Sequence, residues 1–424
     1  MFIPYTNHIF VNLVVLENYG ETYPELIQNR EAIVSTITEE EKSFDTMLDR
    51  GIKFFKDLEE ELVADKTKQI SGEKAFFMYD TLGFPVDLTQ LMADESGLTV
   101  DTKGFEKEME AQKTRSREAR FKSKKKDGEV ALERLELIAE QTAWLADQGI
   151  EATDDAFKYD LDVEPTASVQ AIFTSDGFVE NEMSVEKGDT VGVILDKSSF
   201  YAEAGGQEAD LGVLEIDGKQ LDVKDVQSYA GYLLHTCTIL SETVDLKIGS
   251  EVISKVDYDR RRKVTPNHTM THVLNAALRE VLGDGVEQRG SLCNDEKLRF
   301  DFSYKKAMKA KEVAAAENIV QQVIEDSIEV KDETMPLDEA KKIEGVRAVF
   351  GEIYPDPVRV VSVGKDTSVE FCGGTHISNT QEAEAFVLVE ETAVAKGIRR
   401  ITGVTRDLAK QAIADGKLNH SFFK

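Results

Sequence analysis

Cysteine is scarce in this chain of 424 residues: there are three, Cys237, Cys293 and Cys372. That excludes a dense disulfide framework and favours a reducing, cytosolic setting. Long apolar runs are missing as well, and none approaches the ~20 residues of a membrane helix. The opening MFIPYTNHIFVNLVVLENYG has a short apolar stretch but no basic leader and no small-residue cleavage site, so it reads as folded structure and not as a signal peptide. There is no internal repeat and no low-complexity segment. Histidine is sparse, at six residues. Positive charge is in deficit: 51 Lys and Arg stand against 80 Asp and Glu, a formal net charge of −29. Such a surface repels a polyanion at long range, so any nucleic-acid contact has to use local basic patches. Three runs qualify: Lys113 to Lys126, Arg260 to Lys263 and Lys396 to Arg400. Taken singly, each reads first as a solvated face.

What is present suits a multidomain α+β protein. The length fits two to four domains, and a hydrophobic content of 41% is enough for several cores. Residues 1–155 have helical apolar spacing; in 37–63, Phe44, Met47, Leu48, Ile52, Phe55 and Leu58 form one stripe. Residues 156–260 hold short strands, with Asp217-Gly218 as a hairpin turn, and suggest a small β-barrel. Residues 261–405 mix helix and strand as an α/β metal-binding unit, and 406–424 form a tail. Within that unit, Thr265-Pro266-Asn267 reads as a helix start with Asn267 as cap.

His268 and His272 lie four apart on the helix that follows, so both imidazoles project from one face. Alone this is weak, because a helix with two histidines is usually only that. About a hundred residues on comes Cys372-Gly373-Gly374-Thr375-His376, just past an expected strand. Two glycines let the backbone turn sharply, so thiol and imidazole converge. Taken alone, that segment equally reads as a buried cysteine and a surface histidine. Together the halves supply four N and S donors of the kind zinc prefers. Spacing does not say whether all four bind at once or one position opens to water or substrate.

At these residues the chain resembles a known family. NHTMTHVLNAALREVLGDGVEQRGSLCNDEKLRFDF, VRAVFGEIYPDPVRVVSVG and SVEFCGGTH look like the editing domain of alanyl-tRNA synthetase, whose zinc motif is shared by AlaX-type editing proteins. KAFFMYDTLGFPVDLTQLMADESGLTVDTKGFEKEMEAQ is similar to that synthetase's tRNA-recognition region, and YPDPVRVVS and AKGIRRI look eukaryote-like. The resemblance runs from about residue 10 to about residue 405. It implies that the helical segment belongs to tRNA recognition and that His268, His272, Cys372 and His376 bind Zn2+. Thr271 and Gln288 would line a pocket for the wrong amino acid, with Glu370 at its edge. Gly205, Gly206 and Gln207 would approach the tRNA 3′ end, with Arg399 and Arg400 as further tRNA contacts. Asp87 would help to read the acceptor stem of tRNA(Ala), although after Pro85 it also reads as a helix N-cap.

Without the metal motif, Thr271 reads as an exposed helix threonine, Gln288 as a loop amide and Glu370 as a solvent-facing charge. Where relatives carry a small residue, Met270 is bulky; it either packs into the core or narrows the pocket. The resemblance further implies a truncated or free-standing derivative, or a fragmentary gene, without the aminoacylation domain; the expected setting is cytoplasmic and not membrane-bound, with a separate synthetase catalytic chain as an expected partner. The expected reaction is deacylation of Ser-tRNA(Ala), and of Gly-tRNA(Ala). A binding site that selects by a methylene or a hydroxyl gains only roughly 1–3 kcal/mol, so a second sieve is useful. Two other readings stay open: a non-catalytic tRNA-binding module with structural zinc, and an inactive remnant.

Overall fold

A computed structural model describes residues 14–64, 67–122, 135–239, 243–348, 354–365, 367–395 and 397–422. By its contacts the chain divides into two units, residues 1–129 and 130–424. No described helix is long and apolar enough to cross a membrane.

The first unit is helical. It contains α1 (Pro24–Gln28), α2 (Arg30–Ala64), α3 (Gly72–Asp80), α4 (Val86–Glu95) and α5 (Thr102–Lys122), with a short parallel pair of β1 (Gln69–Ile70) and β2 (Thr99–Val100). The side-chain oxygen of Ser71 caps α3 by accepting from the Lys74 amide at 3.3 Å. The apolar stripe of α2 is buried only along its second half. Phe55 and Leu58 join Ile70, Met78, Phe84 and Leu98 in one cluster, whereas Phe44 stands exposed. Gly51 lets Phe84 lie flat on α2, since a Cβ there would fall 1.9 Å from the Phe84 ring. Asp87 is exposed in the first turn of α4, and Pro85, not Asp87, occupies the cap position. The last four residues of the basic run Lys113 to Lys126 lie outside the described residues.

The second unit opens with α6 (Ala139–Asp147) and a strand-rich layer: β3 (Thr166–Thr174), β4 (Gly177–Phe178), β5 (Glu182–Val185), β6 (Thr190–Leu195), β7 (Gly212–Ile216), β8 (Lys219–Tyr229), β9 (Tyr232–Thr238), β10 (Val244–Lys247) and β11 (Glu251–Val256). The order is β11-β7-β8-β9-β6-β3-β4, and β11 also pairs with β3, so the ladder of pairings returns on itself. Inward positions two apart, such as Val191, Val193 and Leu195, or Leu221 and Val223, fill the interior. The β7–β8 connection is Asp217-Gly218 with φ of 50° and 78°, the paired left-handed conformations of a tight hairpin.

One polar pair sits in this apolar interior. His235 Nε2 lies 2.8 Å from Ser198 Oγ, and its Nδ1 lies 3.0 Å from the Val193 carbonyl. The ring therefore donates through Nδ1 and accepts the Ser198 hydroxyl. Burial pulls its pKa down to about 4. Because the folded value is depressed, the stability contribution is complete above the unfolded pKa near 6.5 and drains away as pH falls towards 4. By pH 5 the loss attributable to this ring is about 2 kcal/mol. Urea midpoints of wild type and His235→Asn at pH 7.5 and pH 5 measure it. Equal drops in the two proteins would contradict it.

The rest of the unit builds around α7 (Tyr258–Leu282). Strands β12 (Gln288–Cys293), β13 (Leu298–Ser303), β17 (Phe386–Ala395) and β18 (Ile398–Thr405) form an antiparallel sheet in the order β12-β13-β18-β17. A second sheet contains β14 (Val330–Met335), β15 (Val358–Val363) and β16 (Ser368–Phe371). Helices α8 (Ala310–Glu325), α9 (Leu337–Ala340) and α10 (Arg406–Phe422) complete it. Met270, fully buried, packs with Val273, Leu274, Phe300 and Ile401. Arg347 pairs with β16 as an isolated bridge, and positions 349 and 350 after it lie outside the described residues.

Helix α7 starts seven residues before the expected Thr265, capped by Asp257, whose Oδ1 accepts from the Arg260 amide at 2.9 Å. Pro266 is inside the helix and Asn267 is not a cap. Proline has no N–H for the carbonyl four residues back, which is that of Arg262. Arg406 Nη1 donates to that carbonyl at 2.7 Å, which explains how the helix runs through the proline. Asn267 instead donates to the Asn294 carbonyl at 2.8 Å and accepts from Thr405 Oγ1 at 2.8 Å.

The basic run Arg260 to Lys263 also departs from the solvated-face reading. Arg261 is 1% exposed and clasps Asp210, with its Nε 3.3 Å from Oδ1, while donating to the carbonyls of Lys158 and Ser199. Arg260 binds Glu208 and Asp295, and Arg262 binds Asp162. These charges fasten the loop at 200–210 to the start of α7.

Candidate metal centre

Two neighbouring turns of α7 carry His268 and His272 on one face, and the segment leaving β16 carries Cys372 and His376. One donor atom from each of the four lies within 4.8 Å of the others. Cys372 Sγ is 3.4 Å from His268 Nε2 and 3.3 Å from His376 Nε2. With Zn–N near 2.0–2.1 Å and Zn–S near 2.3 Å, neighbouring donors of a tetrahedral site stand roughly 3.3–3.6 Å apart, so the two separations from Cys372 match such an ion and the wider ones, up to 4.8 Å, would close around it. The buried Nδ1 of His272 has no hydrogen-bond partner among the described residues.

The outer ring nitrogens are held. His268 Nδ1 lies 2.7 Å from Gln207 Oε1, and His376 Nδ1 lies 3.1 Å from Thr269 Oγ1. The Thr269 hydroxyl donates to the Thr265 carbonyl, leaving its lone pairs for His376 and the Ile377 amide. Each Nδ1 therefore carries the proton and each Nε2 is free to ligate.

Burial pushes the Cys372 thiol up, but His268, His272 and His376 together outweigh it and hold it well below its ordinary value. The Gly374 amide points at the sulfur at 3.4 Å and adds to the preference for thiolate. Burial also pulls His376 down to about 3, so that its ring is neutral. It pulls on His272 too, yet Glu370 and Cys372 push that ring up to about 9. A thiolate and neutral imidazoles are the forms that bind a metal, and His272 must release a proton to join them.

The turn between Cys372 and His376 is clamped by a residue that no sequence motif singles out. Arg359 Nη1 donates to the carbonyls of Cys372 and Gly374 at 3.0 and 2.8 Å, and its Nε binds Asp332. Its guanidinium stacks on Tyr159 at 4.1 Å, and the Tyr159 hydroxyl donates to the Gly373 carbonyl.

The remaining expected site residues fall at different distances from this centre. Glu370 is buried, not solvent-facing: Oε1 accepts from Asn275 and Ser368, and Oε2 stands 3.9 Å from His272 Nε2. Thr271 is buried rather than exposed; its hydroxyl donates to the Asn267 carbonyl and lies 3.2 Å from Cys293 Sγ. Gln288 opens β12 as a half-buried residue, and its amide donates to Ser291 Oγ, which in turn donates to the Gly205 carbonyl. Gly205 is exposed, Gly206 half-buried and Gln207 1% exposed, so Gln207 faces the imidazole and not solvent. Arg399 pairs with Glu391, and Arg400 binds both oxygens of Asp301 at 2.7 and 2.8 Å. Asp87 belongs to the other unit.

Comparison with known proteins follows this layout. A family model described as tRNA synthetases class II (A) matches residues 5–260, and one described as threonyl and alanyl tRNA synthetase second additional domain matches 358–402, which includes Cys372 and His376. The alanine–tRNA ligase of Candida albicans is 45% identical over 412 residues, 92% of this chain and 41% of that protein. The cytoplasmic alanine–tRNA ligase of Dictyostelium discoideum is 42% identical, covering 94% of this chain and 43% of its own length. The mitochondrial one of Saccharomyces cerevisiae is 42% identical, covering 95% and 42%. The chain spans about two fifths of the length of the curated relatives it matches. With the first family model covering more than half of its residues and these three relatives each an alanine–tRNA ligase, the chain belongs to the alanyl-tRNA synthetase family.

Proposed function

We propose that this chain is an aminoacyl-tRNA deacylase that hydrolyses Ser-tRNA(Ala), and secondarily Gly-tRNA(Ala), in the cytoplasm beside a separate synthetase catalytic chain. The observation that carries the reading is the convergence of His268, His272, Cys372 and His376, two of whose imidazoles are fixed from behind. Zinc held by them would supply Lewis acidity towards an ester carbonyl. The protein's own groups do the rest. Glu370, 3.9 Å from His272, accepts a proton near the reacting ester or turns the substrate's ammonium towards it. Thr271 and Gln288 offer a hydroxyl oxygen and an amide to the seryl hydroxyl, Gln288 exchanging Ser291 for it, and alanine gives neither group a new partner. The helical segment with exposed Asp87 serves tRNA recognition at the acceptor stem. The closed strand layer acts as a small barrel presenting Gly205 and Gly206 to the 3′ end, and Arg399 and Arg400 exchange their carboxylate partners for phosphates.

The test is deacylation of Ser-tRNA(Ala) beside Ala-tRNA(Ala), with Cys372→Ala as control. The expected result is seryl-selective release that falls by at least the ~100-fold that loss of a group behind a ligand can cost, since Cys372 is itself a ligand. Equal release from both substrates would end the discrimination claim. Four protein donors are also the pattern of a structural site. A zinc-bound, folded protein that releases neither amino acid would favour a tRNA-binding module, or an inactive remnant, over an editing enzyme.

A further inference from the structure

Gln207 is 1% exposed, inaccessible to a nucleic acid, yet each of its polar functions is used. Its Oε1 accepts from His268 Nδ1 at 2.7 Å and from the Thr375 amide at 3.0 Å, while its Nε2 donates to Thr375 Oγ1 at 2.9 Å. The Thr375 backbone N–H, which can only donate, fixes the orientation of the amide, and the oxygen so placed makes His268 Nδ1 the donor. Gln207 thereby touches both halves of the metal motif: the helix through His268 and the turn through Thr375. It is itself fixed by its backbone. Its amide donates to the Ala204 carbonyl, and the Gly206 carbonyl next to it accepts from the Cys293 amide at 2.7 Å.

We propose that Gln207 is a positioning residue of the metal centre: it sets the tautomer and aim of His268 and locks the turn of Cys372 and His376 to α7. Its loop thus belongs to the metal site as a second support, alongside any part Gly205 plays towards a substrate. The inference rests on the quartet binding zinc and not on the editing reaction, so metal binding is the readout and the two readings fail separately.

Zinc affinity by chelator competition, and the visible spectrum of the Co2+-loaded protein, are measured on the whole chain for three variants. Gln207→Ala leaves His268 Nδ1 without its acceptor; affinity falls 10–100-fold and the cobalt bands shift as the ring turns. Gln207→Glu keeps an acceptor for both N–H groups, with the Thr375 hydroxyl turning to donate; it binds zinc at least as tightly as wild type. Thr375→Val removes only the contact to Nε2 and changes affinity by less than about threefold. A purely structural role would lower affinity in step with the urea midpoint across all three, with no change in the cobalt bands. Wild-type affinity in Gln207→Ala, or a tenfold loss in Gln207→Glu, overturns the proposal. If Gln207→Ala does not fold, Gln207→Glu and Thr375→Val still decide it.

Discussion

Alanine in place of Gly374 is expected to lower zinc affinity on the order of 100-fold or more, while alanine in place of Gly373 leaves it near wild type. A Cβ at 374 would fall 2.0 Å from His268 Cε1 and 2.4 Å from its Nδ1, whereas one at 373 meets nothing within 4 Å. Neither residue has a left-handed φ, so the difference is one of space alone. The methyl cannot be accommodated by a small tilt. The ring is held between Gln207 on one nitrogen and Cys372 on the other, and the same Cβ would stand 3.1 Å from Gln207 Oε1. Backing the turn away moves Cys372 and His376, whose carbonyl neighbours are clamped by Arg359. Either response breaks the tetrahedron, and close-packed interiors transmit such strain instead of absorbing it. Chelator competition on the two variants reads the result. Equal affinities for both would mean that the imidazole has room the geometry denies it.

Asp210→Ala is expected to destabilise the second unit by about 3–5 kcal/mol, the range for removing one partner of a buried ion pair. The Asp210 side chain is 3% exposed, and it is the carboxylate of the fully buried Arg261. Without it the guanidinium keeps two carbonyls but has no counter-charge, and the Tyr201 amide loses the acceptor it has at 2.7 Å. The same pair holds the 200–210 loop that carries Gln207, so zinc affinity should fall together with the urea midpoint. Adding Arg261→Met to Asp210→Ala removes the stranded charge and is expected to recover most of the stability. A single variant as stable as wild type would show that water reaches Arg261.

The centre was readable where a motif is short and its chemistry unmistakable. HxxxH on a helix and CxxxH beside a strand suffice to name four donors. Their supports were not readable: Gln207 reaches His268 across 61 residues and Thr269 reaches His376 across 107, Arg359 holds the backbone of the turn, Asn275 holds Glu370, and none of these residue types has a ligand signature. Arg261 is the instructive case. In sequence it is the middle of a basic run, and only the fold brings Asp210 to it. The hairpin at Asp217-Gly218 could be read from its turn residues. Ala230-Gly231, with φ of 52° and 88°, makes the same kind of turn between β8 and β9 but offers alanine where the signal needs Asp or Asn. The start of α7 was misplaced because proline normally marks a boundary, and Arg406, 144 residues after Arg262, was needed to lift that rule.

The two halves of the quartet also say when the site can come into being during folding. In a small zinc finger the ligands are near neighbours in sequence, and the ion helps to nucleate the fold. Here Cys372 reaches His268 across 104 residues, and between them lie β12 to β16 and α8. Closing a loop of that length costs chain entropy before any donor meets another. Four donors therefore face one point only after the strand that leads to Cys372 has docked beside α7. An ion held there would be a late reader of a completed topology and would add to the barrier against opening the native state, not to the drive that first forms it.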